Sequence, residues 1–194
     1  KAGQEILTTT HDHYSHHEAI RMASRQSGAL SRRIALYDDP ALASEDEIVD
    51  RVRREIRPGT RAIGVTWVHS STGVKLPIRR IAAVLADANR NRDEGDRALL
   101  IVDGVHGFGI EDETVAQMGC DVFISGTHKW ILGPRGTGIV WAAERVWGGF
   151  APTVPTFASF EPFNAWMAGK APEGPSKAAW ITPGQSFASK NSVA

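Results

Sequence analysis

Two stretches of the chain decide its fold: LLIVDGVHG at residues 99–107 and VFISGTHKW at residues 122–130. Each begins as an apolar, β-branched run typical of a buried parallel strand and ends in polar residues and glycine. In an open parallel sheet, ligands bind beyond the carboxyl ends of the strands. Asp103 and Lys129 are therefore predicted to face one crevice.

The same alternation extends over most of the chain. Between residues 1 and 143, short apolar runs alternate with longer amphipathic stretches, which is typical of βαβ units. Strands are predicted at 5–9, 33–36, 62–67, 98–102, 122–125 and 138–141, and helices at about 15–28, at 44–57 and after residue 77. The predicted fold class is α/β, with a mainly parallel sheet sandwiched by helices.

Residues 148–194 differ from the rest because they are rich in Gly, Pro, Phe and Trp and follow neither the helical nor the strand period. We therefore predict a core at residues 1–147 and an irregular segment at 148–194 that forms an interface or begins a further region. The chain starts at Lys1 rather than at Met, which favours an internal fragment.

Composition narrows the function classes. Of the 194 residues, 22 are Lys or Arg and 22 are Asp or Glu, so no net field draws the chain to nucleic acid or to an anionic membrane. No apolar stretch approaches the roughly 18 residues of a membrane span.

The chain has a single cysteine, Cys120, so no disulfide can form within it, which fits a cytoplasmic location. Because Cys120 lies just before an apolar run, we predict that it is a core residue.

An acid and a lysine in one crevice suit pyridoxal 5'-phosphate (PLP). The carboxylate of Asp103 can ion-pair with the pyridine nitrogen and keep the ring an effective electron sink. Lys129, partly desolvated and near that ring, is expected to have a lowered pKa and to form an imine with the aldehyde. Ser125, Thr127 and His128 offer short donors to the phosphate.

These motifs resemble the class V branch of fold-type-I PLP enzymes, which includes isopenicillin N epimerase-like proteins and cysteine desulfurases. The resemblance spans roughly residues 3–143 and depends on VDGVH at 102–106 and SGTHKW at 125–130. It implies that Asp103 pairs with the pyridine nitrogen, that His106 lies near the ring hydroxyl and that Lys129 carries the Schiff base and transfers protons. It also implies that His128, with Ser125 or Thr127, reaches the phosphate.

Further positions follow from the same resemblance. His13, or His11 on an alignment shifted by one, would stack on the ring face. Ser70, or Ser71 on a shifted alignment, matches a position near the ring that often carries Asn in desulfurases, which argues mildly against a desulfurase. Thr182 resembles a residue that reaches the phosphate of the partner across a homodimer. The substrate would be an amino acid or amine, handled by epimerase, aminotransferase or C–S lyase chemistry.

Two alternatives remain at this point. THDHYSH at residues 10–16 resembles the histidine motif of zinc hydrolases, so His11, His13 and His16 are candidate zinc ligands. A non-catalytic scaffold of the same fold would bind neither zinc nor PLP. A P-loop nucleotidase is disfavoured because the chain has no Gly-x-x-x-x-Gly-Lys-Ser/Thr motif.

Overall fold

The structure, a computed structural model, describes residues 2–150 and 160–170. The chain divides into two compact units, residues 1–140 and 141–194. The boundary predicted at residues 147 and 148 stays a prediction. None of the helices formed by the described residues has the length and apolarity needed to cross a bilayer.

Six strands form one sheet in the order β2-β1-β3-β4-β5-β6. Neighbouring pairs from β2 through β5 are parallel, which confirms the predicted α/β fold with a mainly parallel sheet. The strands are β1 (Glu5–Thr9), β2 (Leu30–Ile34), β3 (Thr60–Thr66), β4 (Leu99–Asp103), β5 (Val122–Gly126) and β6 (Gly138–Ala142).

The helices are α1 (Tyr14–Ser27), α2 (Glu45–Glu55), α3 (Ile78–Ala88), α4 (Val115–Met118), α5 (Glu144–Trp147) and α6 (Phe160–Met167). Ser44 caps α2 by accepting a hydrogen bond from the Glu47 amide, as its sequence pattern predicts. The Glu47 carboxylate instead accepts from Arg51 one turn later. Helix α6 lies within the segment that was predicted to be irregular.

Strand β2 begins three residues earlier than predicted. Its register with β1 is the reason, because Leu30 pairs with Glu5 and Ile34 with Thr9. Leu36 and Tyr37, whose apolar character suggested a later strand, are buried beyond the end of β2. Burial therefore continues beyond the last paired residue of β2 and does not mark the end of the strand.

The sheet is buried by residues that alternate along its central strands. Leu100 and Val102 on β4 and Phe123 on β5 share one face and are at most 1% exposed. On the other face, α1 packs against β3 so closely that a Cβ at Gly64 would lie 2.6 Å from Nε2 of His16. Strands β3, β4 and β5 pair in parallel beneath these packed faces. Their carboxyl ends therefore lie next to one another and form the carboxyl edge of the sheet.

Candidate functional site

Asp103 is the last residue of β4 and lies at the carboxyl edge of the sheet. Its Oδ1 accepts a hydrogen bond from the Val105 amide at 3.0 Å, and its carbonyl accepts from the Trp67 amide at 2.8 Å. The first bond orients the carboxylate, and the second fixes the backbone that carries it. The second oxygen, Oδ2, makes no hydrogen bond to another of the described residues, so it is the atom available to a ligand.

His106 lies where the loops after β4 and β5 meet. Its ring is in edge contact with that of Trp130, with the centroids 6.5 Å apart. Burial lowers the pKa of His106, the charges of Lys129 and His13 lower it further, and the charge of Asp103 opposes them. The charges of three other predicted residues, Lys129, Asp103 and His13, therefore act on His106 at this edge of the sheet.

Lys129 follows β5 in an exposed turn. Its carbonyl accepts from the Leu132 amide at 3.1 Å, and Leu132 adopts a left-handed conformation with φ of 57°. Residues 128–132 are all exposed. The desolvation expected for Lys129 is therefore not provided by the described residues.

Two hydroxyls predicted to bind phosphate already have partners in the chain. The side chain of Ser125 is buried and donates to the Gly126 carbonyl at 3.1 Å. The Thr127 hydroxyl is hydrogen-bonded to that of Thr137. His128 is exposed, and its ring lies so close to Gly126 that a Cβ there would be 2.8 Å from it. Of the three, His128 is the donor most open to a ligand.

The structure separates His11 from His13. Nε2 of His11 accepts from the Leu36 amide at 3.1 Å, and its ring stacks on Tyr37 with centroids 3.9 Å apart. His13 is exposed and caps α1, with Nδ1 accepting from the Ser15 amide. His11 is thus engaged in packing, whereas His13 is exposed, and its charge acts on His106.

Sequence reasoning missed a buried polar network behind this edge. Asp12, 7% exposed, accepts hydrogen bonds from the Thr8 hydroxyl at 2.7 Å, the Thr9 amide at 2.7 Å and the Thr66 amide at 2.8 Å. Burial opposes ionisation, but the charge of His16 and these hydrogen bonds hold the pKa of Asp12 below its usual value. Asp12 thereby ties the end of β1 to the end of β3. In the sequence, the only indication of this role was the position of Asp12 between two histidines.

The network continues through Tyr37 to the loop after β3. The Tyr37 hydroxyl is 2.9 Å from Nδ1 of His69 and 3.0 Å from the Thr72 hydroxyl. Nε2 of His69 is 4.0 Å from Oδ1 of Asp12. Ser70 is exposed in the turn that this network supports. The loop that carries Ser70 is therefore held from behind by buried side chains.

We expect His69 to make stability depend on pH. Burial lowers the pKa of His69 from 6.5 to about 4, so the unfolded chain binds a proton more readily than the folded protein. The stabilisation is complete above pH 6.5 and is lost as the pH falls towards 4. Between pH 7 and 5 we expect a loss of about 2 kcal/mol in the free energy of unfolding. Urea unfolding at several pH values measures it.

The control for this prediction is His69→Gln, which keeps a polar side chain of similar size but cannot take up a proton. Its stability should change less than that of the parent between pH 7 and 5. An identical pH dependence in both proteins would contradict the role given to His69.

The zinc alternative finds no support in the described part of the chain. No group of three His, Cys, Asp or Glu residues there is placed to hold a metal ion. His11 and His13 have the separate partners given above, and His16 packs against β3 with Nδ1 buried. Nε2 of His17 lies 2.7 Å from the Thr9 carbonyl oxygen. The four imidazoles near the start of α1 therefore contact different neighbours.

Two remaining predictions concern Cys120 and Thr182. Cys120 is 3% exposed, and burial raises the pKa of its thiol to about 12. The prediction of an inert core cysteine is confirmed. Thr182 lies outside the described residues, and its contact with a partner stays a prediction.

A profile described as aminotransferase class-V matches residues 1–160. The chain belongs to the aminotransferase class V family, which confirms the resemblance predicted from residues 102–106 and 125–130.

Curated relatives lie in two branches of this family. Isopenicillin N epimerase of Amycolatopsis lactamdurans is 32% identical over 151 residues, which cover 78% of this chain and 36% of the relative. A probable cysteine desulfurase of Halalkalibacterium halodurans is 27% identical over 142 residues, which cover 73% of this chain and 32% of the relative. The chain thus spans about a third of the length of these relatives.

Solved structures show the same fold. The chain superposes on a variant of C-DES that has glycine covalently linked to its PLP cofactor, with a TM-score of 0.74 and 21% identity, covering 93% of this chain and 44% of that one. The cysteine desulfurase CsdA of Escherichia coli gives a TM-score of 0.72 and 18% identity, covering 96% of this chain and 43% of that one.

Proposed function

We propose that this chain is the cofactor-binding part of a PLP-dependent enzyme that acts on an amino acid, with Lys129 as the residue that binds the cofactor covalently. The observation that carries the proposal is the convergence of Lys129, Asp103, His13 and His106 at the carboxyl edge of β4 and β5. A relative named as a probable cysteine desulfurase and a structural neighbour that holds PLP linked to glycine support it.

The side chains present fit this cofactor. Asp103 keeps one oxygen free beside a partly buried strand end, where it can pair with a protonated pyridine nitrogen. The exposed amine of Lys129 is accessible to an aldehyde, and His128 is accessible to a phosphate. When bound, PLP supplies an electron sink that weakens bonds at the substrate Cα.

In this arrangement each residue has one task. Asp103 holds the pyridine nitrogen protonated, His13 covers one ring face, and His106 lies near the ring hydroxyl. His128, the most open of the three predicted donors, binds the phosphate. The amine of Lys129, once released from the cofactor, accepts or returns the proton at Cα.

Epimerase, aminotransferase and C–S lyase chemistry all require this set of residues. Ser70 stands where desulfurases often carry Asn, and Cys120 is too deeply buried to act as a sulfur acceptor. The residue at position 70 favours epimerase-type or aminotransferase-type chemistry over a desulfurase reaction. We further propose a homodimer in the cytoplasm. The exposed Trp130, Ile131 and Leu132 beside Lys129 support the dimer, since their exposed fractions are 49%, 46% and 87%.

The proposed function is tested by titrating the protein with PLP and recording its absorbance spectrum before and after borohydride. We expect a visible band that saturates at one cofactor per chain and is bleached by reduction. Peptide mapping of the reduced protein should then place the cofactor on Lys129. A spectrum equal to the sum of protein and free PLP would support the scaffold alternative, and stoichiometric zinc by elemental analysis would support the hydrolase.

We also expect the two histidines to respond differently to substitution. His13→Asn retains a good N-cap for α1 but removes the ring, so the affinity for PLP should fall about fivefold, as for one lost stacking contact of roughly 1 kcal/mol. His11→Ala removes the stack on Tyr37 and the acceptor for the Leu36 amide. Its free energy of unfolding should fall by about 1–2 kcal/mol while PLP affinity changes little. Spectral titration and urea unfolding of both variants measure these effects, and a reversed pattern would exchange the two assignments.

A further inference from the structure

The loop that follows β3 lies at the same edge of the sheet as Asp103. Thr66, the last residue of β3, pairs with Asp103 in the parallel register of β3 and β4. Residues 69–74, called the β3 loop below, begin three positions further along the chain, and Ser70 and Ser71 are exposed in it. The resemblance to the class V family puts one of these two serines near the cofactor ring. Whatever holds the β3 loop in place therefore acts on the proposed site.

The tip of the β3 loop is joined to the rest of the protein at one point. Residues 70–73 are all exposed, and the Gly73 amide donates to the His69 carbonyl within the loop at 2.8 Å. Among the described residues, one hydrogen bond leads from residues 70–73 to a residue outside the loop. It joins the Thr72 hydroxyl to the Tyr37 hydroxyl at 3.0 Å. The position of the tip therefore depends on Tyr37.

Tyr37 is itself held firmly. It is 2% exposed, and its ring stacks on that of His11 with the centroids 3.9 Å apart and the planes inclined by 10°. Nε2 of His11 accepts from the Leu36 amide at 3.1 Å, which ties the stacked rings to the backbone beside Tyr37. The Tyr37 hydroxyl is therefore a fixed point against which the β3 loop can be positioned.

The hydrogen bonds of this cluster run in one direction. Burial lowers the pKa of His69 from 6.5 to about 4, so at neutral pH its ring is uncharged and carries one proton. Nε2 lies 4.0 Å from Oδ1 of Asp12, whose negative charge favours the proton on that nitrogen. Nδ1 then accepts from the Tyr37 hydroxyl at 2.9 Å, and the Tyr37 oxygen accepts from Thr72. Loss of the tyrosine hydroxyl would leave Nδ1 buried without a donor and would release Thr72.

We propose that Tyr37 is a positioning residue of the cofactor site, whose hydroxyl fixes the β3 loop so that Ser70 and Ser71 reach the bound cofactor. This inference rests on the proposed function, because PLP is the ligand that the serines contact. Tyr37 is buried against His11 and acts on the ligand only through the loop. A hydroxyl that is already held in place binds more tightly than one on a loose loop, because less conformational entropy is lost on binding.

The test is a double-mutant cycle in which the full chain is titrated with PLP and followed by its absorbance spectrum. Tyr37→Phe keeps the ring but removes the hydroxyl, and the affinity for PLP should fall about fivefold, as for one hydrogen bond of typical net strength. Ser70→Ala with Ser71→Ala should lower it about tenfold, as for a hydrogen bond to a charged ligand. All three substitutions together should again lower it about tenfold, because Tyr37 acts only through these serines.

Independent contributions would instead multiply to a loss of about fiftyfold, which would overturn the proposal. Unchanged PLP affinity in Tyr37→Phe would overturn it as well. Thr72→Val removes the other hydroxyl of the same bond and should also weaken PLP binding about fivefold.

The matched control is Ser27→Ala, which removes a hydroxyl that donates to the Ala23 carbonyl at 2.7 Å at the last residue of α1. Its affinity for PLP should change less than about twofold, because the lost bond lies outside the β3 loop. A loss equal to that of Tyr37→Phe would show that the titration reports general destabilisation, and would overturn the role given to Tyr37.

Amide hydrogen exchange without PLP separates this inference from the proposed function. In Tyr37→Phe, the Gly73 amide should exchange at least about tenfold faster than in the parent, because the tip of the loop opens locally. The Leu76 amide donates to the Trp67 carbonyl at 2.7 Å and should exchange as in the parent. Equal exchange at Gly73 in both proteins would overturn the positioning role even if PLP binds. A parent that binds no PLP would overturn the proposed function and, with it, the link from Tyr37 to the cofactor.

Discussion

Lys129→Ala is expected to abolish covalent attachment of PLP. No other amine is found at the crevice formed by Asp103, His13 and His106 in the described part of the chain. An imine with the cofactor aldehyde requires that amine, so its loss should be complete rather than partial. The measurement is the visible absorbance of the PLP-treated variant, followed by borohydride reduction and mass spectrometry.

Two further variants make this result interpretable. Lys129→Arg keeps the positive charge that acts on His106 but cannot provide the amine, and it should also show no covalent cofactor. Lys75→Ala removes an exposed lysine that is paired with Glu111 at 2.6 Å, and it should retain the band of the parent. A reducible visible band in Lys129→Ala would move the covalent link to a different lysine.

Asp103→Asn should separate cofactor attachment from chemistry. The amide keeps the shape of the side chain, so at saturating PLP the band that borohydride removes should remain. Without a carboxylate beside the pyridine nitrogen, exchange of the substrate α-proton with solvent should slow by about 100-fold, the size of one lost preorganised electrostatic contact. NMR of amino acids incubated with the enzyme in D₂O measures this exchange without assuming a reaction subtype.

The matched control is Asp112→Asn, an exposed acid in the loop between β4 and α4. It should exchange the α-proton at the rate of the parent. If Asp103→Asn also exchanges at that rate, the carboxylate does not support the electron sink, and the assignment of Asp103 from its place at the end of β4 is wrong.

Much of this site could be predicted without coordinates because parallel strands impose a simple rule. An apolar run that ends in Asp103 and another that ends before Lys129 must deliver both residues to the same edge once the strands pair. The spacing of apolar residues and the composition are properties of short segments. The two strands and the class V resemblance could therefore be predicted from residues 99–130. The exact bounds of β2 were not, because its register depends on β1.

The sequence by itself thus determined the fold class, the family and the position of Asp103 and Lys129 at the ends of neighbouring strands. The tertiary structure decided which of His11 and His13 is exposed. His11 stacks on Tyr37 because β2 returns beside β1 and brings Tyr37 next to it. It also showed the network of Asp12, Tyr37 and His69, whose members lie up to 57 positions apart. Such contacts arise from packing between elements that are distant in the chain, and no local pattern of residues encodes them.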